Sequence, residues 1–384
     1  MMQDSQKQAL AYFAAFVALG LTTASIGPTL MGLAANTRVG LGAISLVFTA
    51  RALGYTAGSV WSGKLLDRLP GHKVLAGVLL LMTATMALTP LAPALWLLLI
   101  ISLPLGLAEG AVDVCGNTLM VWSRPGGAGH FLNALHFFYG AGALLAPLIV
   151  ARSYALRGDA NWSYWFIAAL IAPLGLWLLR VPAPTPQTDK TDAANGRTNR
   201  SLVVLITVFF FLYVGVEVSF GGWIFTYAVT LGLGTATDAA YLTAVFWGAL
   251  TLGRLLAIPV ARRFRPRAIL FTDLAGALGC LALLLWRPAS VPTLWLATGG
   301  LGLFIASIFP TMFAFAERRI SITGRVTGWF VLGASVGTKV LALLTGQLIA
   351  AHGPLALLVV ALLALCLAAA MFVAALRLAP AEAT

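Results

Sequence analysis

Charge is what this sequence has least of. Only 9% of its 384 residues are Asp, Glu, Lys or Arg, and just 12 are acidic. A soluble domain carries roughly 25% charged residues. So sparse a set cannot cover a water-facing surface, which excludes a soluble globular protein. Residues 74–108 hold no charge at all. Cysteine is scarce too. Cys115, Cys280 and Cys366 lie far apart inside apolar stretches, which excludes a disulfide framework or metal-ligand spacing and leaves them as small packing residues. No nucleophile–base set appears, so the chain is not expected to be an enzyme, and no cofactor is expected. What is present is apolar: 60% hydrophobic residues and a mean hydropathy of +0.94. The chain reads as an integral membrane protein.

Apolar stretches of about 20 residues, the length that crosses a bilayer, number twelve. They run near 9–35, 41–65, 74–92, 94–122, 131–152, 162–180, 201–231, 238–261, 268–286, 292–316, 325–349 and 355–377. The run after the polar start MMQDSQKQAL is too long for a signal-peptide core and shows no cleavage site, so it reads as a first helix. One stretch differs from all others. VPAPTPQTDKTDAANGRTNR, 181–200, has no apolar face and is expected to be a flexible linker. It divides the chain into a six-helix bundle at 1–180 and another at 201–384. The expected fold class is therefore all-α, with twelve transmembrane helices in two pseudo-symmetric bundles.

A net charge of +12 suggests a nucleic-acid partner until its distribution is drawn. With the N-terminus inside, 17 Lys and Arg fall on the cytoplasmic side and four outside: Arg38, Arg152, Arg157 and Arg287. Positive residues collect on the cytoplasmic side of membrane proteins. The basic balance is a topology signal and needs no nucleic acid. It places both termini in the cytoplasm, with a bacterial inner membrane as the expected location and a monomer in the lipid bilayer as the expected state.

The three remaining basic residues, Arg51, Arg254 and Lys339, fall inside spans. So do several acids. Glu109, Asp113 and Asn117 stand four residues apart in the fourth span, LWLLLIISLPLGLAEGAVDVCGNTLMVW. That spacing stacks them on one helix face, as a polar ladder roughly 12 Å long. Intramembrane carboxylates cost several kcal/mol and mark substrate or ion pathways. Counting depth at about 1.5 Å per residue puts Arg51 level with Glu109, and His136 near Asn117. A carboxylate in a dry cavity holds a proton more tightly, and a neighbouring guanidinium loosens it. Glu109, Asp113 and Arg51 are the expected ion-coupling groups, with Asn117 and His136 bonding substrate hydroxyls. The alternative is a permanent structural pair between Arg51 and one carboxylate.

The second half offers Glu217 and Lys339 at equal depth, which allows an ion pair, with Lys339 balancing the carboxylates of the first half as the alternative. Glu217, Lys339 and Tyr227 are expected substrate contacts, and Arg254 with Asp273 a structural pair. Trp223, flanked by Glu217 and Tyr227, is the expected stacking wall for a sugar ring, since such pockets mix aromatic walls with a few polar groups. Trp247 is a second candidate, with lipid packing as its alternative. Most other tryptophans lie near span ends and fit an interfacial belt. Gly140 and Gly142, and Gly333 and Gly337, are spaced for close helix approach.

The halves resemble each other weakly at an offset of about 195 residues, as repeats in secondary transporters do. GLTTASIG (20–27) matches GVEVSFGG (215–222), and FFYGA (137–141) matches FVLGA (330–334). The loop GKLLDRLPGHK, 63–73, resembles the G-x-L-x-D-R-x-G-R-K signature of the major facilitator superfamily, with Pro70 inserted. The resemblance implies a cytoplasmic gate at Gly63, Asp67, Arg68 and Lys73. GLAEGAVDVCGNTL (106–119), LHFFYGAGALLAPL (135–148) and LYVGVEVSFGGWIFTY (212–227) are similar to the fucose-permease and sodium–glucose branch. That likeness implies import of a sugar or polyol with H+ or Na+. The first span lacks the acid that proton-coupled members carry there and offers Thr22, Thr23 and Ser25 instead. The antiporter stretch of drug exporters is also missing at 140–147. Export of amphiphilic compounds remains the first alternative, and a non-transporting receptor or channel the second.

Overall fold

A computed structural model of the chain describes residues 4–66, 68–124, 129–184, 200–320 and 324–378. Among these residues every regular element is a helix and no strand occurs. The elements of the first half are α1 (Asp4–Thr37), a single turn α2 (Leu41–Ile44), α3 (Leu46–Leu66), α4 (Gly71–Leu88), α5 (Leu95–Ser123), α6 (Gly129–Arg157) and α7 (Asn161–Leu178). The second half holds α8 (Arg200–Thr230), α9 (Ala236–Arg263), α10 (Pro266–Trp286), α11 (Val291–Ile305), α12 (Ile308–Glu317), α13 (Gly324–His352) and α14 (Ala356–Leu378).

Eleven of the described segments are long and apolar enough to cross a membrane, with α11 and α12 forming one span, Val291–Glu317. The twelfth rod is α3. Its 21 residues span about 31 Å at 1.5 Å per residue, close to the hydrocarbon thickness, and it carries Arg51. The described residues divide into two compact units. The first contains α1–α7 together with Thr235–Ala244; the second contains α8, the rest of α9 from Val245, and α10–α14.

Two expected spans are interrupted. Residue 45 separates α2 from α3, where the Ser45 hydroxyl donates to the Gly42 carbonyl at 2.6 Å. The span expected over 292–316 breaks at Ala306 and Ser307. Pro310 explains part of this. It has no N–H, and its ring clashes with the carbonyl four residues back, that of Ala306. Proline alone is not enough, since Pro28, Pro104, Pro147, Pro173 and Pro259 all sit in unbroken helices. What differs here is Ser307, whose hydroxyl is drawn off to Asp273 of α10.

Inside each unit, small residues set the helix pairs. In the first, α1 lies against α6 at Gly20 and Gly142, and α3 against α5 at Gly54, Gly58, Gly106 and Gly110. In the second, α8 lies against α13 at Gly215, Gly333 and Gly337, and α9 against α11 at Gly253 and Gly302. The same helices pair in both halves: first with fifth, second with fourth. This is the structural counterpart of the weak sequence repeat. Lipid gives apolar helices no hydrophobic drive to associate, so close backbone approach supplies the packing energy. Around it stand aromatic piles such as Phe210 with Phe309 (4.7 Å) and Phe330 (5.5 Å).

Most of the expected linker, and Asp67 of the expected gate, lie outside the described residues. Val181 and Pro182 are described, and they are tied down. His72 is 3% exposed. Its Nδ1 is 2.7 Å from the Val181 carbonyl, and its Nε2 is 2.8 Å from the Tyr12 hydroxyl. A carbonyl only accepts, so Nδ1 carries the hydrogen and Nε2 accepts from Tyr12. Gln8 adds a bond to the Pro182 carbonyl at 2.7 Å. Within the GKLLDRLPGHK segment, Arg68 and Lys73 are exposed while His72 is built in. His72→Ala loses two bonds of about 1 kcal/mol each, plus buried volume, and is expected to destabilise the protein by about 2–4 kcal/mol. Thermal unfolding of the detergent-purified chain measures this.

Candidate functional site

The ladder of α5 is completed by α3. A Cβ on Gly106 would overlap the Arg51 backbone carbonyl, and one on Gly110 the Tyr55 carbonyl. With no side chains between them the two backbones touch and run parallel. That register sets Arg51 opposite Glu109 and Tyr55 opposite Asp113, one turn further along both helices.

Arg51 grips Glu109 with two nitrogens. Nε reaches Oε2 at 3.3 Å, and Nη2 pairs with Oε1. The same Nη2 donates to the Thr22 carbonyl of α1 at 3.0 Å, and the Thr23 hydroxyl donates to Glu109 Oε1 at 3.4 Å. Arg51 is 8% exposed and Glu109 4%. A forked guanidinium–carboxylate contact is among the strongest polar interactions available. Breaking it would leave a charge stranded in a dry place.

Asp113 is held differently. The Tyr55 hydroxyl donates to Oδ2, and Asn117 Nδ2 donates to Oδ1 at 2.9 Å and to the Asp113 backbone carbonyl at 2.9 Å. Among the described residues no basic side chain pairs with it. Both Asp113 and Asn117 are half-buried. The ladder therefore contains one neutralised carboxylate and one solvated only by neutral donors. His136 of α6 is exposed and lies edge-on to Phe16 at 5.9 Å. Phe16 in turn packs on Gly116, the residue before Asn117.

In the second unit the ionic partners differ from those expected. Glu217, 7% exposed, pairs with Arg254 at 3.3 Å. Its other oxygen lies 2.6 Å from the Tyr213 hydroxyl, which is also 3.0 Å from the Ile305 carbonyl at the end of α11. This corrects the expected Arg254–Asp273 pair: Asp273 takes the Ser307 hydroxyl instead. Lys339 is half-buried on α13, two residues beyond Gly337, whose backbone rests on Phe211.

The expected aromatic wall is packed inward. Trp223 and Tyr227 are fully buried. Trp223 donates to the Ala342 carbonyl at 3.0 Å, and Tyr227 to the Pro288 carbonyl at 3.1 Å. Their polar atoms are thus taken up by backbone carbonyls within the unit. The sequence shows that these helices are apolar but not which side of an inward aromatic is covered. Trp247 packs on Phe246 and Gly221, and its buried indole N–H meets no acceptor among the described residues. Among the described residues it is the aromatic whose buried polar atom is left unpaired. Tyr55, Tyr213 and Ser307 escaped sequence reasoning, because a lone hydroxyl in an apolar helix looks like packing. Their spacing does carry a signal: Tyr213 stands four residues before Glu217 on α8.

Among the described residues no group of three or more His, Cys, Asp or Glu is placed to hold a metal.

Comparison with known proteins matches residues 9–340 to the Major Facilitator Superfamily. The chain is 28% identical over 377 residues to mouse sodium-dependent glucose transporter 1A, covering 88% of each. It is 30% identical to human sodium-dependent glucose transporter 1, covering 87% of this chain and 72% of that one. Among solved structures it is similar to an aspartate-to-alanine mutant of the nucleoside transporter NupG, with TM-score 0.77, 14% identity, and 98% and 99% of the two chains covered. A D-xylose–proton symporter gives TM-score 0.70 at 14% identity, with 94% and 96% covered.

Proposed function

The chain belongs to the Major Facilitator Superfamily, and from that premise we propose that it is a cation-coupled, alternating-access symporter of a sugar or related polyol, with the proton as the coupling ion. That it is a multi-pass membrane transporter of a small molecule, and not an enzyme, follows from the family. The observation that carries the proposal is the paired and unpaired carboxylate on one face of α5. Glu109 is locked to Arg51, so a proton reaching it must displace a guanidinium. Asp113 is held by a phenol and an amide, so a proton there changes its charge without breaking an ion pair. Tyr55 and Asn117 are also the kind of donors that sugar hydroxyls compete for. Binding of substrate and of proton then act on the same four atoms, which is the linkage that coupling requires. The positive-inside bias supports cytoplasmic termini.

Sodium is the second reading. The mouse and human glucose transporters that the chain resembles are named sodium-dependent, and carboxylate, hydroxyl and amide oxygens suit a hard cation.

The test is uptake into proteoliposomes of labelled glucose, then other hexoses and polyols, under imposed H+ or Na+ gradients. Accumulation is expected only with an inward proton gradient. A sodium requirement would favour the second reading, and gradient-independent flux would sink symport. At about 100 mV one coupled charge supports roughly 50-fold accumulation. Asp113→Asn is expected to lose that factor while retaining downhill exchange. Wild-type accumulation by both Asp113→Asn and Glu109→Gln would remove the ladder from the mechanism.

A further inference from the structure

Each unit carries the same pair of carboxylate types. One is neutralised by an arginine on the second helix of its repeat: Glu109 by Arg51, and Glu217 by Arg254. The other has no basic partner among the described residues and is held by neutral donors. In the first unit this is Asp113. In the second it is Asp273, half-buried within the span Pro266–Trp286 and bonded by the Ser307 hydroxyl. An uncompensated carboxylate inside a membrane span is costly and is a functional-site signal in its own right.

Its position adds a second argument. Ser307 is one of the two residues at which the α11–α12 rod is broken. Broken helices inside membranes are where coupling ions bind, because backbone groups there are free of the helical ladder. The residue on the other side of the break is also held from outside: the Ile305 carbonyl lies 3.0 Å from the Tyr213 hydroxyl. Both sides of the joint are thus tied to carboxylates, Ser307 directly to Asp273 and Ile305 through Tyr213 to Glu217.

We propose that Asp273 is a proton-binding site of the second unit, with Ser307 as its positioning residue at the α11–α12 joint. The inference rests on the proton-coupled reading above and extends it to a second site. With Asp273 ionised, the Ser307 hydroxyl is held by a charged acceptor. When a proton binds the carboxylate, that bond falls to an ordinary neutral one. The hydroxyl is then free to turn back on a carbonyl of the last turn of α11, as serines in helices do. The joint straightens or opens accordingly, while Tyr213 keeps hold of Ile305.

Other charged groups around Asp273 are few. α8 brings Tyr213 and Glu217, and α9 brings Arg254, which is paired with Glu217 at 3.3 Å. α11 contains no titratable residue. α12 ends in Glu317, ten residues beyond Ser307 and followed by Arg318 and Arg319. α14 carries an exposed Cys366 and, in its last turn, Arg377. α10 itself adds an exposed Arg267 in its first turn, six residues before Asp273, and Cys280.

The test is independent of substrate. The full chain is reconstituted in lipid, and pH-difference infrared spectra are recorded in the carboxylic C=O region. Asp273→Asn is expected to lose one titrating carboxyl band, and Ser307→Ala to keep that band with a moved midpoint. Identical spectra for wild type and Asp273→Asn overturn the proposal. Should Asp273→Asn not purify as a monodisperse protein, Ser307→Ala decides: an unmoved midpoint overturns it. Uptake measured on the same preparations separates the two ideas. A lost band with gradient-indifferent sugar flux overturns symport but not the proton site. Intact spectra with proton-driven flux do the reverse.

Discussion

Arg51→Ala is expected to be the most damaging single substitution in the first unit, costing about 3–5 kcal/mol. The reason is the state in which it leaves Glu109. That carboxylate is 4% exposed and takes both of its strong donors from one guanidinium. Without Arg51 only the Thr23 hydroxyl remains, at 3.4 Å. Arg51 Nη2 also serves the Thr22 carbonyl, so α1 loosens as well. Adding Glu109→Gln removes the stranded charge, and the double variant is expected to recover most of the lost stability. A buried ion pair contributes little net; what is costly is half of one. Thermal unfolding of wild type, both single variants and the double variant gives the coupling energy directly. If Arg51→Ala and the double variant melt together, the pair is not the stranded-charge system the geometry describes.

The same comparison separates structure from transport. The double variant should fold yet fail to accumulate substrate if Glu109 exchanges a proton in the cycle. It should fold and accumulate if Arg51 and Glu109 are a permanent brace. In that case Asp113, with Tyr55 and Asn117 around it, is left to carry the coupling.

Much of this was legible in the chain because membranes restrict what a sequence can do. Backbone groups in lipid must be satisfied within the helix, so span length and charge counting nearly dictate the elements. The four-residue spacing of Glu109, Asp113 and Asn117 gave one face. Depth counting placed Arg51 at the level of Glu109, and their side chains meet. The same counting placed Glu217 and Lys339 at one level, but level is only one coordinate. Rotation about the helix axis decides the partner, and Glu217 turns to Arg254 and Tyr213. Trp223 illustrates the same gap: a tryptophan in an apolar helix does not announce whether its covering is protein or substrate. The break at Ala306 and Ser307 was hidden for another reason. It needs both Pro310, which is local, and Asp273 on a different helix, which is not.

Gly106→Val is the second change expected to have a large effect, and it tests the register instead of the charges. Even a methyl at this position would overlap the Arg51 backbone carbonyl. A backbone atom cannot swing aside as a flexible side chain can, so α3 and α5 must separate. Overpacking of this kind costs about 1–3 kcal/mol, and more when a branched side chain is forced in. The functional consequence is larger than the packing term. Arg51–Glu109 and Tyr55–Asp113 are consecutive contacts across the same seam, so one displacement strains both. Gly106→Val is therefore expected to lower the melting temperature and abolish gradient-driven uptake together, although it removes no polar group. Gly77→Ala on α4 is the control. Nothing lies within 4 Å of a Cβ there, and exchange of glycine for alanine in a helix stabilises it by about 0.5–1 kcal/mol. Unimpaired uptake by Gly106→Val would mean that the α3–α5 seam opens during transport and that its contacts belong to one state of the cycle only. Loss of uptake with Gly77→Ala unaffected ties the coupling chemistry to the closeness of these two backbones.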